Sequence, residues 1–232
     1  MGTANDGRPG STPDTAGTLP VTTAQAGIWF AQRLDPDNPI YTTGERVDLH
    51  GPLDVEAFAH AVGIAVDEAD ALHVRVVEVD GEPRQRPLTG PERPAWQLER
   101  VDVCDEPDPD AAALAWMRAA LARPVDPATA DAVPLFGHAL LRLGDEHHVW
   151  FHRYHHLVTD AYGFSLIARR VAAVSVALAA GEEVPARRFG SLTDLVAGQR
   201  EAAAASHDAD REFFAGRFPG APEPARSAPA RR

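Results

Sequence analysis

Between residues 135 and 180 the apolar period of the chain switches from two to about 3.6 within a few residues, and that switch limits what the whole sequence can become. Residues 135–143 and 147–155 read as two strands joined by a Gly144-Asp145-Glu146 turn. In the second strand, alternation puts His148, Trp150, His152, Tyr154 and, carried one step on, His156 on one face. Val149, Phe151, Arg153 and His155 fall on the other, so the two adjacent histidines are expected to point opposite ways. A helix should follow from Tyr162 or Phe164 to about Ala180, burying Leu166, Ile167, Val171, Val174 and Leu178 and stopping at Gly181. A strand end that hands over to a helix holds an imidazole between rigid elements and leaves an open turn for a substrate. The segment from Tyr154 to Gly163 is therefore the first candidate for chemistry.

Composition removes several function classes. A chain of 232 residues with 44% hydrophobic content can bury a substantial core, as one domain or as two lobes of a larger one. The net charge of -12, with no concentrated Lys/Arg stripe, argues against nucleic acid. Cys104 is the single cysteine, which excludes an internal disulfide and a thiolate metal cluster and fits a cytoplasmic location. The longest apolar run, residues 171–180, is shorter than a membrane span, and the N-terminus lacks the basic-then-apolar pattern of a signal peptide.

Elsewhere the signals are local. Thr22 or Thr23 caps a helix to about Leu34, ended by Asp35-Pro36-Asp37. A strand spans residues 46–50, and Asp54 caps a helix carrying Phe58, Val62 and Val66. Residues 73–79 form a strand, and Asp80-Gly81 turns it into a second short strand near Gln85. A further strand spans 96–103, and Pro109 opens a helix to Leu121. Two helical segments, 191–205 and 208–218, close the ordered part. No internal repeat is present.

Three motifs in order carry a resemblance: Thr23-Ala24-Gln25 with Ile28-Trp29 and Tyr41 downstream, Leu49-His50-Gly51-Pro52-Leu53-Asp54, and His155-His156 with Asp160. From about Leu19 to Phe218 the chain resembles the N-terminal half of a nonribosomal peptide synthetase condensation domain, of the chloramphenicol-acetyltransferase-like acyltransferases. The resemblance implies an α/β (α+β) fold with a mixed, mostly antiparallel sheet packed with helices. It divides the chain into a disordered leader (1–18), the N-terminal lobe (19–185), a helical crossover (186–218) and a linker-like tail (219–232). It further implies that the chain is a fragment or truncated product of a two-lobed domain; separately, if Met1 is the native start, nothing is expected to precede it.

In such a domain His156 would face a tunnel where an acyl or peptidyl thioester meets an amine. Each substrate would be delivered on the phosphopantetheine arm of a carrier protein, with no cofactor bound directly. Carrier proteins, the C-terminal lobe and downstream synthetase domains are the implied partners. Imidazole exchanges a proton near neutrality and can take one from the attacking amine. His155 is expected to be a packing residue. Asp160 is expected to fix the turn, by capping or by pairing with an arginine. The family's arginine position holds His73, so Arg75, two residues on along the same strand face, is expected to supply the charge. Ala161 stands where the family usually has glycine, and Gly163 is expected to carry part of the flexibility.

Alternatives from the same motif are an acyltransferase with a hydroxyl acceptor, an epimerisation domain, and a noncatalytic module that docks carrier proteins. Aspartates replace both histidines in the cyclising relatives, which argues against heterocycle formation here. No metal site is expected: His148 and His152, on the face of His156, are expected in a tunnel wall or core, and a His-x-x-x-His pair on a strand spans too far for easy co-ligation. The His147-His148 pair beside the turn is expected to be solvated. Ser165 lies inside a predicted helix and is no nucleophile, and the four tryptophans are expected in the core.

Overall fold

The computed structural model describes residues 17–125, 127, 134–218 and 220. The expected leader lies outside them except for residues 17 and 18, as does the expected tail apart from Gly220. In chain order the elements are β1 (Leu19–Pro20), α1 (Thr23–Leu34), β2 (Thr42–His50), α2 (Val55–Glu68), β3 (Val74–Val79), β4 (Glu82–Pro87) and β5 (Glu99–Asp102). They continue with α3 (Pro109–Leu121), β6 (Phe136–Gly144), β7 (His147–His155), α4 (Ala161–Ala180) and α5 (Leu192–Arg217). A four-stranded sheet runs β2-β7-β6-β5 and a smaller one runs β1-β4-β3. Only the β5–β6 pair is parallel, giving the mixed, mostly antiparallel architecture expected.

Strand β7 sits between β2 and β6, so both of its edges are hydrogen-bonded, and each of its faces packs into a core. Trp150 and Tyr154 pack into a core with Phe58 and Val62 of α2 and Ile167 and Val171 of α4. Val149 and Phe151, on the other face, pack against Ala113 and Met117 of α3. The alternation read from residues 147–155 is therefore satisfied by two separate hydrophobic clusters.

Local signals set most boundaries. Thr22 and Gln25 form a reciprocal capping box on α1, and the Asp54 carboxylate accepts from Glu56 N and Ala57 N at the start of α2. Asp80 (φ 53°) and Gly81 (φ 82°) are both left-handed, the primed hairpin turn that Asp-Gly favours. Gly181, at φ 67°, ends α4.

Three boundaries differ from expectation. Strand β2 starts at Thr42, four residues early, because it pairs with β7 in unbroken register from Thr42↔His155 to His50↔His147. Strand β5 is shorter than expected because only Glu99 to Asp102 align with β6. The two expected C-terminal helices are one, α5: Ser191 caps it, and neither Gly nor Pro lies between Gln199 and Ala215. Helix α4, 20 residues long, is apolar and long enough to cross a membrane by composition, beyond the run read from the sequence. Here it packs as an amphipathic helix, burying Phe164, Ile167, Val171, Val174 and Ala177 beside α2. Of its expected stripe, Leu166 and Leu178 are only half-buried. Trp29 and Trp150 are core residues, whereas Trp96 and Trp116 are half-buried.

Candidate functional site

The strand ladder stops at His155, and the turn beyond it is pinned to two other segments. His155 N donates to Leu135 O, and His156 N donates to Tyr41 O, both at 2.8 Å. His155 is 2% exposed. Its Nδ1 accepts from Leu157 N at 3.2 Å, so Nε2 carries the proton and donates to Gln32 Oε1 at 3.3 Å. Burial, helped by the neighbouring His156, holds its pKa down to about 4. It is a neutral packing residue, as expected.

His156 is half-buried, and its Nδ1 lies 3.3 Å from Thr159 O. A carbonyl only accepts, so Nδ1 carries the proton and, in the neutral ring, the lone pair is on Nε2. The two rings thus separate: one is sealed against α1, the other stays in the mouth of the turn with its basic nitrogen unengaged by any described residue.

Helix α1 holds this turn from beneath. Gln25 Nε2 donates to Leu157 O at 2.8 Å and lies 3.3 Å from Gln85 Oε1. Gln32, 4% exposed, donates to Asp35 O, Pro36 O and Asn38 O while accepting from His155. Sequence reading found the Thr-Ala-Gln motif but assigned neither glutamine this role. The available signal was two glutamines seven residues apart, on the same helical face as Trp29.

The expected ion pair between Arg75 and Asp160 is not found among the described residues. Asp160 is the N-cap of α4, its carboxylate accepting from Gly163 N at 2.9 Å, and no ion pair reaches it among the described residues. A cap needs one backbone donor and no cation. The buried guanidinium behind the turn belongs to Arg170, 4% exposed and forked onto Glu68 at 2.6 and 2.8 Å, which ties α4 to the end of α2. His73, in the family's arginine position, is buried with its Nε2 3.0 Å from Val66 O, and burial lowers its pKa. Ala161 has no positive φ, so its methyl adds no backbone strain. Gly163 is needed for space: a Cβ there would collide with Thr159 Oγ1. Its role is close approach, not the flexibility expected of it.

Three further histidines are buried in the four-stranded sheet. His138 and His152 lie parallel at 6.0 Å, and His152 stacks on Trp150 at 4.4 Å. His148, expected in solvent beside the turn, is 6% exposed. Desolvation lowers all three pKa values, that of His152 to about 4. With His152 and His155 depressed from 6.5 to about 4, the unfolded chain binds more protons than the native one inside that window. Stability is therefore lost as pH falls from about 6.5 towards 4, by on the order of 3 kcal/mol per ring at the bottom. Urea midpoints measured at pH 7, 6 and 5 should drop progressively, and His152→Phe should flatten the slope. An unchanged slope in that variant contradicts the assignment.

A family model described as Condensation domain matches residues 15–229. The chain is 44% identical over 204 residues to a dimodular nonribosomal peptide synthase of Bacillus subtilis (strain 168), covering 88% of this chain and 8% of that protein. It is also 44% identical over 209 residues to an isonitrile lipopeptide synthase of Streptomyces coeruleorubidus, covering 89% and 14%. The fold superposes on the starter condensation domain of rhizomide synthetase RzmA with a TM-score of 0.79 and 35% identity, covering 89% of this chain and 49% of that one. The first condensation domain of the calcium-dependent antibiotic synthetase, solved with a substrate analogue, gives a TM-score of 0.80 at 32% identity, covering 90% and 49%. The chain thus spans about half the length of these solved domains and a small part of the synthases.

Proposed function

The chain belongs to the condensation-domain family, and from that premise we propose that it forms the histidine-bearing half of a chamber in which a thioester and an amine become an amide. The observation that carries this is the pair of ring environments at residues 155 and 156. The buried ring is neutral and locked, while the half-buried one has its Nδ1 proton on Thr159 O and its Nε2 lone pair available. His156 Nε2 accepts a proton as the amine nitrogen bonds to the thioester carbonyl carbon. The C–S bond then breaks, and the proton passes to the departing thiolate. His155, Asp160 and Gly163 hold the turn and touch no substrate. Placing two tethered reactants together supplies much of the acceleration, up to roughly 7–11 kcal/mol in well-oriented systems.

The substrates in this reading arrive on the phosphopantetheine arms of carrier proteins, in keeping with the synthases to which the chain is similar. An acyl thioester donor is supported by the rhizomide synthetase domain, a related variant of which was solved with C8-CoA. Helix α5 leads towards the remainder of the domain, and its exposed Phe213, Phe214 and Phe218 fit a surface that becomes covered there. The test is amide formation from a loaded donor carrier and a loaded acceptor carrier, with this sequence inside its complete domain. Product above the uncatalysed background is expected. Carrier binding without any amide would select a docking module instead.

A further inference from the structure

Arg153 stands in the middle strand β7 with a glycine on either side, Gly44 across on β2 and Gly137 across on β6. A Cβ on Gly137 would lie 3.1 Å from Arg153 Nε, and one on Gly44 would press into the Phe151 ring. The bare position at Gly137 makes room for the Arg153 side chain, and that at Gly44 for the Phe151 ring. A cavity of about 270 Å³ opens there, at the edge bounded by the approach to β5 and the C-terminal end of α3. Its walls are two edge-to-face aromatic pairs, Trp96 on Phe136 at 5.5 Å and Trp116 on Phe151 at 6.0 Å.

Two polar groups of this cavity have no hydrogen-bond partner among the described residues, the Arg153 guanidinium and His138 Nδ1. No hydrogen bond or ion pair to Arg153 is found among the described residues. Burial depresses its pKa and the like charge of Arg123 adds to that, with Glu99 opposing. His138, 4% exposed, also lines the cavity, and its Nδ1 has no hydrogen bond. Half-burying a guanidinium without a hydrogen-bonded carboxylate is costly, and ligand sites are typically apolar cavities with a few convergent polar groups. Among the described residues that line it, two guanidiniums and one carboxylate leave a single positive charge, the complement of a monoanion.

We propose that this cavity binds a planar aromatic monocarboxylate, with the carboxylate on Arg153 and Arg123 and the ring between the two indoles. Guanidinium forks match carboxylates in a bidentate fashion, and offset or edge-on rings suit the walls. His156 does not line the cavity, so the site is separate from the proposed reaction centre and stands independently of it.

The probe is benzoate, with benzamide as its uncharged isostere, followed by the indole N–H signals of the four tryptophans in the full chain. Benzoate should shift the Trp96 and Trp116 signals saturably, and benzamide should bind at least tenfold more weakly. Arg153→Met should weaken benzoate at least tenfold, Arg153→Lys should recover part of that loss, and Gly137→Val should block the cavity. Equal affinity for benzoate and benzamide overturns the proposal using the unmodified chain alone, whatever the variants do to folding. Shifts spread over all four indoles, or no saturable binding, overturn it equally.

Discussion

Replacing His156 by alanine in the complete domain should lower amide formation from loaded carriers by roughly 10²- to 10⁴-fold, the usual contribution of a positioned acid–base group. The expectation rests on the tautomer set by Thr159 O, which leaves Nε2 as the proton acceptor. Stability should change little, because the ring is half-buried and its one described hydrogen bond is a long contact at the surface of the turn. The thermal midpoint therefore serves as the control: a variant that loses rate and keeps its midpoint has lost chemistry and not its fold. A His156→Ala rate within about threefold of the parent would show that the ring does no acid–base work, leaving tethering as the source of acceleration.

The second large effect is on stability. Glu68→Leu should destabilise the chain by about 3–5 kcal/mol, measured as the free energy of urea unfolding. The carboxylate takes two hydrogen bonds from Arg170, whose side chain is 3% exposed, and the guanidinium's other described acceptor is Pro185 O. Removing Glu68 leaves a charge inside the α2–α4 contact with one carbonyl to satisfy it. Adding Arg170→Met should recover most of the loss, since two matched apolar residues avoid the desolvation that a lone guanidinium suffers. A Glu68→Leu cost below about 1 kcal/mol would mean that the pair is hydrated in solution.

Much of the fold was legible because its signals are short-range. Asp54, Asp80-Gly81, Pro109 and Gly181 act on backbone within a few residues, and each does in the structure what its chemistry predicts. The failures share a different cause. Arg75 was the reasonable cation for Asp160 along one strand, but Asp160 is satisfied by its own helix. The buried ion pair instead joins Arg170 and Glu68, 102 residues apart. His148 stands beside a turn in the sequence, yet the folded chain leaves it 6% exposed.

The periodicities, caps and turns of the sequence by themselves determined where the elements lie, which face of β7 each side chain takes, and that a histidine pair ends that strand. They could do so because propensity and alternation depend on neighbours in the chain. Only the tertiary structure decided that Gln25 and Gln32 clamp the motif turn and that Gly163 is there for space. It also decided that Arg153 faces a cavity beside Gly137. Desolvation, steric clash and hydrogen-bond satisfaction depend on what arrives from distant parts of the chain, and local sequence does not encode those arrivals.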